Sequence, residues 1–124
     1  MESRIILSPM LSPERLAEVD RQARTAFLIF GSTEDLAKEA LFYKALGDPT
    51  RLRIIGLLLV SDICLCQLVE LLGIPASTVT HHLQVLDRGG IIATKRDGKF
   101  SLYSIRAPHR EMLRNVLNSL TSDF

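Results

Sequence analysis

The 124-residue sequence contains no tryptophan, only two cysteines and only three histidines. Residues 1–63 hold neither cysteine nor histidine, so sulfur and imidazole ligands are confined to the second half of the chain. No apolar run approaches the ~20 residues that a membrane helix needs, and the apolar stretch near Met1 is too short for a secretory signal. We therefore expect a cytoplasmic protein with no membrane partner.

The two cysteines, Cys64 and Cys66, are separated by a single residue. A stabilising disulfide normally closes a longer loop, and a reducing cytosol would keep both groups as thiols. This spacing leaves ligation or reactivity as functional interpretations. The alternative is that Cys64 is a small buried apolar residue and only Cys66 is exposed.

Charge is nearly balanced, at +1 overall, but it is unevenly distributed. Residues 75–114 carry seven basic and three acidic side chains, a balance of +4, whereas residues 1–47 carry six basic and seven acidic, a balance of −1. Apolar residues make up 47% of the chain, enough for a buried core, and the length predicts one domain over residues 1–124. We expect the phosphate backbone of a nucleic acid to contact this basic region.

Helical patterns occupy the first half of the chain. Residues 1–11 show no period and predict a loose arm, and Ser12-Pro13 begins an amphipathic helix that we expect to end at Gly31. Thr33 is expected to cap a second helix, and Asp48-Pro49 begins a third that is apolar nearly all round. This third helix is predicted to be the centre of the core.

The second half predicts a winged helix-turn-helix, over residues 64–89, with a wing over residues 91–105. Two short helices are separated by a turn that contains Gly73, and two strand patterns flank Asp97-Gly98, which predicts a two-stranded β-hairpin. The fold class is therefore α+β and mostly α. Apolar stripes on residues 12–31 and 107–121 predict N- and C-terminal dimerisation helices, because helix-turn-helix dimers read palindromic operators. The alternative is that these helices pack on their own protomer.

The recognition helix and the wing carry the expected contacts to double-stranded DNA. Side chains in the first turns of a recognition helix meet base edges and phosphates, and a glutamine one turn later can pair with adenine. Basic residues at a hairpin tip can meet phosphate or the minor groove. The predicted DNA-binding residues are Ser77, Thr78, Thr80, His81, His82, Gln84, Lys95, Arg96 and Lys99. For His82, DNA contact and a buttressing role inside the domain remain equally open.

Thiolate ligands select soft ions, so Cys64 and Cys66 point to As(III) or Sb(III), with Cu(I), Cd(II) and Pb(II) as further candidates. Residues two apart in a regular helix point ~200° away from each other. Two sulfurs with bonds of ~2.3 Å to one ion must lie within roughly 4 Å. We therefore expect binding to distort the helix that begins at Cys64 and to move the recognition helices of a dimer off their spacing.

Four segments resemble the ArsR/SmtB family of metal-sensing winged-helix repressors: Lys44–Ile54, Asp62–Leu68, Ser77–Leu86 and the hairpin. The resemblance implies a homodimeric repressor that leaves its operator when a metal or metalloid binds. The thiol box Asp62–Leu68 is similar to that of arsenical-resistance members. Some of those have a third thiol where this chain has Val69, so the box itself supplies two thiolates.

Zinc-responsive members of that family take ligands from the last helix, at positions that look like Ala107, His109, Leu120 and Asp123 here. Ala107 and Leu120 cannot ligate a metal, so we expect this site to be absent. His109 is expected to lie near phosphate or in solvent.

The thiols allow two other interpretations. A thiol-based redox or reactive-sulfur sensor of the same fold would oxidise the pair to a strained, easily reduced disulfide. A thiol oxidoreductase would need a strand-helix context like that of thioredoxin and a general base, and the sequence shows neither. We therefore expect a regulator, not an enzyme, with no organic cofactor.

Overall fold

A computed structural model describes residues 9–122, except for the side chains of Ile29 and residues 120–122. The helices are α1 (Pro13–Ala26), α2 (Thr33–Leu46), α3 (Pro49–Val60), α4 (Leu65–Leu72), α5 (Ala76–Arg88) and α6 (Arg110–Ser122). The strands are β1 (Ile63–Cys64), β2 (Ile92–Asp97) and β3 (Phe100–Ile105), and short 3₁₀ turns cover Leu28–Gly31 and Ala107–His109. The chain divides into two units, residues 1–37 and 38–124. No helix among the described residues is long and apolar enough to cross a membrane.

The first unit contains α1, which begins as expected at Ser12, whose hydroxyl accepts a hydrogen bond from the Arg15 N–H at 3.1 Å. The predicted end at Gly31 is wrong, because α1 stops at Ala26 and Phe27 is extended. The 3₁₀ turn that follows is closed by the Phe27 and Phe30 rings, 5.6 Å apart, and Arg24 donates to the Phe30 carbonyl. Local aromatic packing thus replaces the last helical turn. The predicted arm falls mostly on residues 1–8, which lie outside the described part.

Helix starts in the middle of the chain are set by oxygen-bearing side chains. The cap of α2 is Ser32, one residue before the predicted Thr33, and it accepts the Asp35 N–H at 3.1 Å. Asp48 caps α3 as expected and accepts the N–H groups of Thr50 and Arg51 at 2.9 and 3.1 Å. These carboxylate and hydroxyl acceptors satisfy backbone donors that a helix start leaves unpaired.

The core of the second unit forms around α3, as its apolar sequence predicts. Ile54, Ile55 and Leu58 of α3 are fully buried. Side chains from α4, α5, the sheet and α6 pack against them: Leu68, Leu72, Val79, Leu83, Leu86, Ile92, Ile105 and Leu113. This common core fixes the helix-turn-helix and the sheet in one body.

The wing is the predicted two-stranded hairpin, β2 and β3, and the sequence did not predict the third strand, β1, that extends its sheet. The strand order is β1-β3-β2, and both pairings are antiparallel. The two-residue strand β1 has no signal of its own in the sequence, where Cys64 looks like the start of the following helix. The hairpin turn also differs: Asp97 pairs with Phe100, so the loop residues are Gly98 and Lys99, with Gly98 at φ 63°. A positive φ at this place favours glycine.

Only part of the apolar stripe of α6 packs against the core. Leu113 is 1% exposed and Leu117 packs against the core of its own protomer, in agreement with the alternative interpretation for part of the stripe. Met112 and Val116 remain 40% and 37% exposed. The side chain of Leu120 and all of Asp123 lie outside the described part.

Candidate thiol site and nucleic-acid interface

Cys64 and Cys66 place their sulfur atoms 3.3 Å apart, at the junction of β1 and α4. Cys64 is not a helical residue. It is the N-cap of α4, with extended dihedrals of φ −85° and ψ 162°, and only Cys66 lies in the first turn. The expectation that ion binding must distort the helix is therefore wrong, because the extended backbone at Cys64 already brings the two sulfurs together. Cys64 is buried and Cys66 is exposed.

The two thiols have different acidities. The backbone N–H of Gln67 and the Cys66 thiol both hydrogen-bond to the Cys64 sulfur and lower its pKa. The same sulfur–sulfur hydrogen bond raises the pKa of Cys66, because the Cys66 proton is held by its neighbour. Cys64 is thus the first of the pair to become a thiolate, which is the nucleophilic and metal-binding form.

Wing residues complete the surroundings of the thiol pair. A surface cavity of about 340 Å³ is lined by Cys64, Cys66 and Gln67. Asp97, Phe100 and Leu102 of the wing line the same cavity. Across residues 9–122, no cluster of three or more His, Cys, Asp and Glu side chains is placed to hold a metal ion. The pair therefore offers two protein ligands, and a third would have to come from solvent, a small molecule or another chain.

His109 does not occupy the solvent-exposed place expected from the sequence. Its half-buried ring packs on Phe42, with centroids 5.1 Å apart and a tilt of 45°. Its neighbour Ala107 lies in the 3₁₀ turn before α6 and has no ligating group. His109 is thus part of the packing between α2 and the start of α6.

The recognition helix α5 presents a polar exposed face. Ser77, Thr78, His81 and Gln84 are exposed, and Thr80 is half-buried. The opposite face holds the buried Val79, Leu83, Val85 and Leu86. Five of the six predicted DNA-binding residues on this helix are thus available to a ligand.

The sixth, His82, is turned into the domain and is only 12% exposed. Its Nδ1 lies 3.1 Å from Nη1 of Arg51 and 3.9 Å from Oδ2 of Asp48. Arg51 is buried and also donates to the carbonyls of Lys44 and Ala45 at 3.0 and 2.9 Å. His82 therefore packs α5 against the start of α3, an arrangement that fits the buttressing interpretation.

The predicted wing residues Lys95, Arg96 and Lys99 are all exposed. Arg96 donates to the Ser101 hydroxyl at 3.4 Å across the hairpin. The Lys99 ammonium stands 5.7 Å from the centre of the Phe100 ring, within the range of a cation–π contact. The tip thus carries three cations, one of them held over an aromatic ring.

The sequence did not predict two residues that support these sites. Phe100 beside the thiols and Arg51 beneath α5 reach these positions only through the fold. The motif Asp48-Pro49 predicts the helix cap, but it does not predict that Asp48 lies close to His82. Alternating apolar residues in β3 could have placed Phe100 and Leu102 on one face, but not against the cysteines.

A helix-turn-helix with an exposed polar helix and a cationic β-hairpin defines a winged-helix DNA-binding regulator. Residues 48–94 match the sequence profile of the family described as "Bacterial regulatory protein, arsR family". The chain is 39% identical over 90 residues to the uncharacterized HTH-type transcriptional regulator Rv0081 of Mycobacterium tuberculosis, covering 68% of this chain and 79% of that protein. The chain belongs to the ArsR family of transcriptional regulators, so the resemblance and the expectation of a regulator rather than an enzyme are confirmed.

Other comparisons agree. The crystal structure of Rv0081 aligns with a TM-score of 0.61 and 36% identity over 74% of this chain and 97% of that one. The homodimeric winged helix-turn-helix domain Mb0332 of Mycobacterium bovis aligns with a TM-score of 0.64 and 26% identity. The alignment covers 81% of this chain and 85% of that one. A Staphylococcus aureus homologue of the cadmium resistance regulator CadC is 34% identical over 86 residues, 64% of this chain and 71% of that protein.

Proposed function

We propose that this chain is a homodimeric repressor that binds a palindromic operator and releases it when As(III) or Sb(III) binds Cys64 and Cys66. The observation that carries the proposal is the 3.3 Å sulfur pair beside the DNA-binding elements. The named function of the CadC homologue, cadmium resistance regulation, supports a response to a soft ion. Cd(II), Cu(I) and Pb(II) remain the other ions that such thiolates favour.

The distance between the sulfurs favours trivalent metalloids over ions that prefer linear coordination. With bonds of ~2.3 Å, sulfurs 3.3 Å apart subtend an angle of roughly 90° at a shared ion. A pyramidal As(III) or Sb(III) centre accepts such an angle, whereas a linear two-coordinate ion would need the sulfurs more than 4 Å apart. A third ligand, such as hydroxide or a small thiol, would complete the site.

The acidity of the thiols indicates the order of binding. Cys64 becomes a thiolate first, because its pKa is lowered by the Gln67 N–H and the Cys66 thiol. Cys66 then loses its proton as the ion takes the place of the hydrogen bond between the sulfurs. Two As–O bonds of As(OH)3 would break as the two As–S bonds form: one hydroxyl group would leave as water with the Cys66 proton, and the other would leave as water with a proton from solvent.

DNA contact is assigned to the exposed residues of α5 and the wing. Ser77, Thr78, Thr80, His81 and Gln84 would meet base edges and phosphates in the major groove. Lys95, Arg96 and Lys99 would meet the adjoining backbone or minor groove. His82 is expected to act through the position of α5.

Dimerisation would cover the apolar side chains that each unit leaves exposed. The exposed apolar side chains include Leu16 and Val19 on α1 and Met112 and Val116 on α6. Side chains of these types are usually buried. The relative Mb0332 is homodimeric, and palindromic operators are read by two-fold dimers. Light scattering should show a dimer at micromolar concentration, and a monomer would contradict this part of the proposal.

A second candidate is a thiol-based redox sensor of the same fold. The contact between the sulfurs and the lowered pKa of Cys64 favour it, because a thiolate next to a thiol can be oxidised to a disulfide by peroxide. The oxidation would release two protons and two electrons, reducing the peroxide to water. Loss of DNA binding with peroxide but not with arsenite would select this function.

The test is fluorescence anisotropy of the reduced protein on a labelled fragment of its own upstream promoter, titrated with arsenite at fixed salt. Arsenite should release the wild type, whereas zinc should not. The double variant Cys64→Ser, Cys66→Ser should bind DNA normally and remain bound at every arsenite concentration. Release of the double variant by arsenite would refute the assignment of the two thiols.

A further inference from the structure

We propose that the wing is the moving part of the thiol switch, and that Phe100 is the residue through which an occupied site acts on it. This inference rests on the proposed function, since it names how ligand binding at Cys64 and Cys66 would weaken the hold on DNA. It differs from the sequence-based expectation, in which the recognition helix would be displaced.

The first observation is that the sheet connects the thiol pair to the wing cations. Cys64 pairs with Leu102 on β3, and Leu102 in turn pairs with Lys95 on β2. Directly opposed residues of a sheet point to the same face, as do residues two apart along one strand. Asp97 and Phe100, which pair with each other, therefore share this face with Cys64 and Leu102.

The second observation is that the wing lines the cavity beside the thiols. Phe100 and Leu102 of β3 line the same cavity of about 340 Å³ as Cys66 and Gln67. A metalloid bound to both sulfurs, together with its third ligand, would fill part of this space. Phe100 is 48% exposed, so its ring has room to turn away from the site.

The third observation is that the Phe100 ring lies beside Lys99, one of the cations proposed above to contact DNA. The Lys99 ammonium lies 5.7 Å from the centre of the Phe100 ring. A displaced ring would carry Lys99 with it or release the ammonium from its place over the ring. The thiol cavity and the wing tip thus share one side chain.

The recognition helix, by contrast, is held from several sides. Val79, Leu83 and Leu86 of α5 are buried in the core, and His82 is fixed by the buried Arg51. On α4, Leu68 and Leu72 make the core contact, whereas Cys66 is exposed. Moving α5 would disturb the core, whereas moving the exposed tip of the hairpin would not.

The experiment compares DNA affinity with and without saturating arsenite in the reduced wild type, Phe100→Ala and Phe100→Leu. Arsenite binding is measured separately, by the arsenic retained per protein after desalting. Tyr43→Leu is the matched control, because Tyr43 is an exposed aromatic residue on α2 outside the thiol cavity. We expect arsenite to lower the DNA affinity of the wild type and of Tyr43→Leu by about 5- to 150-fold. Both Phe100 variants should still bind arsenite but show little of this decrease.

A second measurement needs no variant. If the wing leaves the DNA, arsenite should reduce the slope of log affinity against log salt in the wild type by about 0.9 for each phosphate that the wing no longer neutralises. Discrimination between operator and unrelated DNA should change little. If arsenite instead abolishes this discrimination at an unchanged slope, α5 is the moving element and the inference is overturned.

The outcomes separate this inference from the proposed function. Arsenite binding and release that are the same in Phe100→Ala, Phe100→Leu and the wild type would overturn the role of Phe100 and leave the proposed function standing. A wild type that binds no arsenite, or stays on DNA when arsenite is bound, would overturn the proposed function and the inference together.

Discussion

The Nδ1 atom of His82 lies 3.1 Å from Nη1 of Arg51, and this contact ties the recognition helix to the first turn of α3. A guanidinium has no acceptor, so the Nδ1 atom of a neutral His82 ring can only accept this hydrogen bond. The two adjacent histidines therefore have different surroundings, because the side chain of His81 is exposed.

Replacing His82 by alanine should lower the free energy of unfolding by about 1–3 kcal/mol, because Arg51 is buried and would be left with one acceptor fewer. DNA affinity should fall for all sequences alike, with an unchanged salt slope. His81→Ala is the matched control: its stability should stay within about 0.5 kcal/mol of the wild type, while its DNA binding weakens. Urea denaturation measures the free energy of unfolding, and fluorescence anisotropy measures DNA affinity. Equal stability of the two variants would contradict the buttressing role.

Asp48→Ala should destabilise the protein by about 1 kcal/mol, because it removes the N-cap of α3. Burial raises the pKa of Asp48. Hydrogen bonds from the Arg51 and Thr50 N–H groups and the nearby charges of His82 and Arg51 lower this pKa by more, so it lies below the usual value of 3.8. A lowered pKa means that this stability is present above the unfolded-state value and disappears as pH falls through the folded-state value. The difference in unfolding free energy between the wild type and Asp48→Ala should therefore shrink between about pH 5 and pH 2.

Asp48→Asn is the control for this pH dependence, because asparagine also caps helices but does not titrate. Its stability relative to Asp48→Ala should stay constant over the same pH range. A wild type whose advantage over Asp48→Ala is independent of pH would show that the carboxylate charge contributes nothing.

The thiol pair should titrate in two separated steps, one below and one above the usual thiol pKa of 9.0. Cys66→Ala should raise the pKa of Cys64, because it removes the Cys66 hydrogen bond to the thiolate. Cys64→Ala should lower the pKa of Cys66 for the converse reason. Thiolate ultraviolet absorbance against pH, on reduced protein, measures each midpoint. Identical midpoints in the two single variants and the wild type would mean that the sulfurs do not touch in solution.

Replacing Lys95, Arg96 and Lys99 together by alanine should flatten the salt dependence of DNA binding by about 0.9 in slope for each cation that contacts phosphate. Folding should be unaffected, since all three side chains are exposed. Lys38→Ala, on the exposed surface of α2, is the control for a simple loss of positive charge. A triple variant with the wild-type slope would remove the wing from the DNA interface.

Gly89→Ala should destabilise the protein by about 1–3 kcal/mol, because the added methyl group would overpack the core. A Cβ there would stand 2.9 Å from the Ala45 Cβ and 2.9 Å from the Leu41 carbonyl oxygen. Gly56→Ala is the control: in α3 its Cβ would make an ordinary 3.8 Å contact with Leu117, so we expect unchanged or slightly higher stability. Thermal unfolding distinguishes the two, and equal midpoints would contradict the close approach of α5 to α2.

The helix-turn-helix, the wing and the family could be predicted from the sequence, because each depends on local signals. Caps such as Asp48, the apolar pattern of α3 and the glycine in the hairpin loop act within a few residues of the backbone they specify. The polar face of α5 is likewise set by the helical period, so most predicted DNA-binding residues could be placed without a structure.

The geometry of the thiols and the contact of His82 with Arg51 depend on long-range packing. Cys64 is extended because its backbone pairs with Leu102, almost 40 residues further along the chain, and local helical spacing could not predict that pairing. The contact between Arg51 and His82 likewise joins residues 31 positions apart. Such contacts depend on how the core brings α3, α5 and the wing together, and it is this packing that sets the two sulfurs 3.3 Å apart beside Phe100.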